Sequence, residues 1–128
     1  MTARILVVDD IEANVRLLQA KLEAEYYEVL TAPDGPTALA IAAVEKPDII
    51  LLDVMMPGMD GFTVCRHLKD DVETRHIPVI AVTAFAMKGD EERIRAGGCA
   101  AYIAKPISVA HFLDTVRTYL EPTADSVA

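Results

Sequence analysis

One stretch constrains the fold more than any other: Ile49-Ile50-Leu51-Leu52-Asp53. Four large aliphatic residues in a row, set between Pro47-Asp48 and Met56-Pro57-Gly58, predict a short strand buried on both faces. The run closes on a carboxylate, which a dry core does not tolerate unpaired. Asp53 is therefore expected where the strand leaves the core, at the sheet end where open α/β proteins bind ligands. Taken alone, this aspartate reads equally well as a turn residue or a helix cap.

The rest of the chain repeats the pattern. Arg4 to Val8 predicts a first buried strand, and Tyr27 to Thr31 a second one nearer the sheet edge. Ile77 to Val82 predicts a fourth strand ending at Thr83, and Ala100 to Ala104 a fifth. Helical spacing fills the gaps. Val15, Leu18 and Leu22 carry a helix to about Glu25. Ala38, Leu39, Ile41 and Ala42 carry another to about Glu45, opened by Asp34-Gly35-Pro36 with Pro at its first position. Phe62, Val64, Cys65 and Leu68 predict a third helix capped near Asp60. Lys88 to Ala96 predicts a short polar helix stopped by Gly97-Gly98. Val109, Phe112, Leu113, Val116 and Leu120 line one face of a last helix. Five alternations of strand and helix predict an α/β fold: a doubly wound, five-stranded parallel sheet with helices on both faces. One domain over residues 1–121 is expected, with a frayed tail over 122–128.

Charge narrows the function. A formal net charge of −8 and a pI near 4.7 argue against a nucleic-acid surface, which needs cationic contacts to phosphates. The same balance argues against anionic membranes. No apolar run approaches the roughly 20 residues of a membrane span, so no membrane insertion is expected. Strand-like sequence begins by Arg4-Ile5 and leaves no room for a signal peptide, so the expected compartment is the cytoplasm. Cys65 and Cys99 form neither a CxxC nor a His-rich spacing, which indicates neither zinc nor a redox dithiol; they read as small packed residues. His67, His76 and His111 are scattered and read as surface residues. Phe85 and Met87 read either as a docking patch or as ordinary partial burial.

The polar residues collect at one end of the predicted sheet. Asp9 and Asp10 follow the first strand, Asp53 ends the third, Thr83 ends the fourth and Lys105 follows the fifth. Two carboxylates ~5 Å apart repel by roughly 3 kcal/mol at an effective dielectric of about 20. Three together must hold a proton or recruit a cation. The donors are hard oxygens, which select Mg²⁺, or Mn²⁺, over zinc or copper. Glu12 reads either as a water-mediated neighbour of that ion or as a helix-start carboxylate favoured by the dipole. Mg²⁺ readily shares a phosphate, so the pocket suits metal-assisted phosphoryl transfer. Asp53 would attack, Lys105 would pair with the phosphoryl oxygens and Thr83 would donate a hydrogen bond to them. A Thr83 that moves to make that bond would pull the segment behind it, which is a switch.

Asp9-Asp10, Asp53-Val-Met-Met-Pro-Gly-Met-Asp-Gly61, Val82-Thr83-Ala84 and Ala104-Lys105-Pro106 resemble the signature of the response-regulator receiver domain, over residues 3 to about 121. The resemblance implies a CheY-like, flavodoxin-like strand order 2-1-3-4-5. It implies Asp53 as phosphoacceptor, Asp9 and Asp10 with the Met55 backbone carbonyl as Mg²⁺ ligands, and Thr83 and Lys105 as phosphate partners. It further implies Tyr102 as an aromatic that turns inward on activation, although Tyr102 also reads as plain strand packing, and a cis Lys105–Pro106 peptide. The implied partners are a histidine kinase or histidine phosphotransfer protein, a downstream protein target, and a second copy in a homodimer on phosphorylation. The two halves of the chain resemble two branches of the family, both tied to bacterial cell-cycle and cyclic-di-GMP signalling. A stand-alone regulator and a receiver excised from a diguanylate cyclase or hybrid kinase are both open.

Two other classes compete. An aspartyl-phosphate phosphatase uses a similar nucleophile but needs an acidic residue two positions on, where this chain has Met55. An FMN carrier of the same topology needs a neutral phosphate loop after the first strand, and Asp9-Asp10-Ile11-Glu12 would repel that phosphate.

Overall fold

The computed structural model describes residues 3–54, 58, 61–83, 92, 96, 98–104 and 109–120. Five strands, β1 (Arg4–Val8), β2 (Glu28–Ala32), β3 (Ile49–Asp53), β4 (Val79–Thr83) and β5 (Ala101–Ala104), form one sheet in the order β2-β1-β3-β4-β5. Every neighbouring pair is parallel. The helices are α1 (Glu12–Ala24), α2 (Gly35–Glu45), α3 (Gly61–Asp70) and α4 (Val109–Leu120). The predicted fold class and strand order are therefore those observed.

Alternation along the strands builds a core on each face. Leu6 and Val8 of β1, Ile50 and Leu52 of β3, and Val79 and Ala81 of β4 pack with Ala38, Ala42, Val64, Cys65 and Leu68 of α2 and α3. Ile5, Val7, Ile49, Leu51, Ile80 and Ile103 meet Leu18 and Leu22 of α1 and Phe112 and Val116 of α4 on the other face. All five residues of β3 are buried, as a central strand covered on both sides requires. Leu113 and Leu120 border the second cluster, half-buried.

Several boundaries differ from the sequence reading, each for a local reason. β4 begins at Val79 and not Ile77, because the Ile77 N–H turns back to the Thr74 carbonyl at 3.0 Å and Pro78 has no N–H to give. β2 begins at Glu28, because the Tyr27 N–H still bonds the Leu22 carbonyl of α1. β5 starts at Ala101, one residue late. Helix α2 starts at Gly35, so Pro36 is its second residue, and Asp34 caps it by accepting from the Thr37 N–H at 2.8 Å. The Thr37 side chain, and after it the Thr37 backbone N–H, hold the Asp34 carboxyl below the usual carboxylate range. The predicted helix 88–96, its Gly97 stop, the cap at Asp60, Phe85, Met87 and the tail lie mostly or wholly outside the described residues; Glu92 and Ala96 have helical backbone, and Gly98 has φ +97°.

At the amino ends of the strands, Arg4 acts as a clamp. Its backbone N–H donates to Asp48 Oδ2 at 2.7 Å, and its guanidinium reaches the Glu45 carbonyl at 2.7 Å, the Glu45 carboxylate, and Glu28 at 3.6 Å. Lys46, the left-handed residue that ends α2, pairs with Glu73 nearby at 3.0 Å.

Candidate functional site

The register fixes where the acidic residues fall. Val8 is opposite Leu52, so Asp9 and Asp53 are the next residues on two adjacent parallel strands. Both leave the core side by side at the carboxyl end of the sheet, and Asp10 follows. One carboxylate oxygen from each of Asp9, Asp10 and Asp53 lies within 4.8 Å of the other two. Asp9 and Asp53 are 4% and 3% exposed, whereas Asp10 is open to solvent. At 4.8 Å each pair repels by about 3 kcal/mol at an effective dielectric of 20, less where Asp10 is screened. A trio of hard oxygen donors at this separation fits a small divalent cation such as Mg²⁺.

Local structure holds the trio. The Asp9 N–H bonds the Ala32 carbonyl of β2. The Asp9 carboxylate accepts from the Ile11 N–H at 2.9 Å and the Asn14 side-chain amide at 3.3 Å. Ile11 stands at the N-cap position of α1 and has no side chain able to cap. Asp9 thus satisfies a helix-start donor while facing the acidic cluster. Glu12 pairs with Arg16 at 2.6 Å on the exposed face of α1 and, with Asp9, Asp10, Val15, Thr31 and Pro33, borders a cavity of about 360 Å³.

Gly61 sets the other wall. A Cβ at this position would stand 2.4 Å from Val54 Cα and 2.8 Å from the Asp53 carbonyl oxygen. The start of α3 therefore presses directly on the backbone that carries Asp53, with the Gly61 N–H pointing to the Val54 carbonyl at 3.4 Å. Gly61 and Asn14 were not singled out for any role by sequence reasoning. Asn14 carries a faint signal, a polar residue in the first turn of α1 after an acidic pair. Gly61 carries none beyond its place in the motif, because the close approach is tertiary.

Thr83 ends β4 beside this rim, 2% exposed and opposite Ala104 in the register. Tyr102, opposite Ala81, is half-buried against the core of the α2 and α3 face. Lys105 follows Ala104 directly, but Lys105, Pro106 and Met55 lie outside the described residues. The structure therefore brings together Asp9, Asp10 and Asp53, with Thr83 one strand away. His67, His76 and His111 are exposed, as expected. Cys65 and Cys99 are buried, also as expected, but their sulfurs are in contact at 3.3 Å. No helix among the described residues is long and apolar enough to cross a membrane.

This sheet order with an acidic cluster at its carboxyl rim fits a signalling domain, and the response regulator receiver domain family matches residues 5–117. The chain belongs to that family. It is 65% identical over 118 residues to the response regulator PleD of Caulobacter vibrioides, covering 92% of this chain but 26% of PleD. It is 53% identical over 120 residues to the polar-differentiation response regulator DivK of Brucella ovis, covering 94% of this chain and 98% of DivK. The chain thus spans about a quarter of one relative and nearly the whole of the other.

Solved structures agree on the fold. The chemotaxis protein CheY4 of Vibrio cholerae superposes with a TM-score of 0.89 at 28% identity, covering 93% of this chain and 99% of that one. The receiver domain of a sensor histidine kinase from Pseudomonas aeruginosa, which has a magnesium ion coordinated in its active site cleft, superposes at 0.86 with 31% identity, covering 93% of this chain and 98% of that one.

Proposed function

We propose that this chain accepts a phosphoryl group on Asp53 from a phosphohistidine donor, a histidine kinase or a histidine phosphotransfer protein, and thereby switches its protein partners. The observation that carries this reading is the 4.8 Å convergence of Asp9, Asp10 and Asp53 at the carboxyl rim of the sheet. Asp9, Asp10 and Asp53, with the Met55 carbonyl, would hold Mg²⁺; bound there, the ion would supply positive charge to neutralise the cluster and the incoming phosphoryl oxygens.

The chain's own residues do the rest. An Asp53 oxygen forms the new P–O bond as the P–N bond of the donor breaks. The departing imidazole keeps the electron pair and takes up a proton. The product is an acyl phosphate, which adds roughly one negative charge to the rim. Lys105 offsets that charge and Thr83 donates its hydroxyl proton to a phosphoryl oxygen. Thr83 belongs to β4 and is followed by the 84–91 segment, so its movement displaces that segment, with Tyr102 filling the space. The partner surface changes as a result, either for a downstream protein or for a second copy of the chain.

The likeness to the polar-differentiation response regulator DivK supports a place in bacterial cell-cycle signalling, with cyclic-di-GMP-linked signalling as the alternative. The chain spans nearly the whole of DivK and about a quarter of PleD, and both a regulator that acts by docking and a receiver within a longer chain fit the proposal. The test is incubation with acetyl phosphate and Mg²⁺, followed by intact-mass measurement. A phosphoryl adduct is expected on the wild-type chain and not on Asp53→Asn; equal labelling of the two sinks the assignment.

A further inference from the structure

A second reactive constellation lies away from the carboxylates. Cys65 sits in the middle of α3, and Cys99 sits just ahead of the edge strand β5, 34 residues later. The Cys99 thiol donates to the Cys65 sulfur with the two sulfurs 3.3 Å apart, and both side chains are buried, at 0% and 6% exposure. We infer that Cys65 and Cys99 are a modification site, an oxidisable dithiol that a hydroperoxide converts into an intrachain disulfide.

Three features of the surroundings support the chemistry. First, the sulfurs need to close by only about 1.3 Å to reach bonding distance. Cys99 can supply that movement because it lies outside the strand ladder and follows Gly98, whose φ is +97°. Second, a lysine stem covers the Cys99 side, its ammonium donating to the Arg75 carbonyl at 3.1 Å and the Ile77 carbonyl at 2.8 Å. The stem of Lys69 lies so close to Gly98 that a Cβ there would meet Lys69 Cγ at 2.8 Å. Third, the pair is electrically asymmetric. The hydrogen bond from Cys99 pulls the Cys65 thiol down, aided by the Lys69 ammonium, while the same bond and burial push the Cys99 thiol up. Cys65 is then the attacking thiolate and Cys99 the resolving thiol.

The steps balance. The Cys65 thiolate attacks one peroxide oxygen; an S–O bond forms, the O–O bond breaks, and the leaving oxygen takes the electron pair and a proton. The Cys99 sulfur then attacks the Cys65 sulfenic acid; an S–S bond forms, the S–O bond breaks, and hydroxide leaves with the Cys99 proton as water. Two thiols are oxidised and one peroxide is reduced to water and an alcohol, or to two waters for hydrogen peroxide. The product ties the middle of α3 to the backbone that enters β5.

The experiment uses the full chain and hydrogen peroxide, with quenching, complete unfolding, alkylation and peptide mapping. The expected result is a monomer lighter by two hydrogen atoms, a Cys65–Cys99 linked peptide, a rate independent of protein concentration, and full reversal by dithiothreitol. In Cys99→Ser, dimedone is expected to trap a sulfenic acid at Cys65. The inference is overturned if both wild-type thiols alkylate fully after exposure that oxidises free glutathione. It is overturned equally if links form only between chains, or if Cys65 proceeds to sulfinic acid without a link. The wild-type readings stand whether or not the serine variant folds.

Discussion

The two ends of the sheet treat charge in opposite ways. At the amino end, Arg4 gathers Glu28, Glu45 and Asp48 around one guanidinium and its own backbone N–H, so each acid meets a donor or a positive group. At the carboxyl end, Asp9, Asp10 and Asp53 are brought within 4.8 Å of one another, two of them buried. The first arrangement neutralises and holds. The second concentrates like charge, for although Asp9 accepts from the Ile11 N–H and the Asn14 amide, the three carboxylates still face one another, as a cation site would require. The difference teaches that an acidic residue at a strand end is uninformative until its neighbours are known.

The largest expected effect tests the carboxyl end. Asp10→Asn should weaken Mg²⁺ binding by about 10- to 100-fold in calorimetric titration, a loss of the size seen when support for a metal site is removed. In EDTA the same variant should be more stable than wild type, by up to about 1 kcal/mol, because a repelling charge is gone. A variant that lost stability in EDTA would mean the trio is a structural network after all.

Next is the wall that supports the trio. Gly61→Ala forces a methyl group into the Val54 and Asp53 backbone, and urea denaturation should show a loss of about 1–3 kcal/mol. Mg²⁺ affinity should fall with it, since Asp53 must shift.

At the amino end, Arg4→Met should cost about 1 kcal/mol, given that the side chain is partly exposed and its pairs are screened. Its Mg²⁺ affinity should not change; a changed affinity would mean the two ends communicate. The smallest effect concerns Asp34, an acid at the same rim as the trio but satisfied by a backbone N–H. Its carboxyl is held below the usual range, so its stabilisation is fully present above the ordinary carboxylate range. It is lost as pH falls through the lowered folded value. The Tm gap between wild type and Asp34→Ala should therefore be present at pH 7 and close under acid.

Much of this was legible before any coordinates. The aliphatic runs gave the strands, and their alternation with helical patterns gave the parallel sheet, because burial on both faces leaves an unmistakable composition. The acidic pair after β1 and Asp53 after β3 could be placed at one rim because parallel strands share a direction. What could not be read depended on contacts between distant segments. The Cys65–Cys99 contact spans 34 residues and has no local spacing to announce it. The abutment of Gly61 on Val54 follows from how α3 seats on the chain leaving β3. The start of β4 depended on whether Ile77 would join the ladder or close a turn with Thr74, and the turn won.

That seat has a mechanical consequence. With room for only a hydrogen atom between its first residue and the backbone next to the phosphoacceptor candidate, α3 rests there like a shaft on a thrust bearing. Its buried face, Val64, Cys65 and Leu68, is seated in the core, so the helix is held along its length as well as at this end. A shift of the Asp53 backbone therefore meets α3 first at Gly61, with no slack to absorb it.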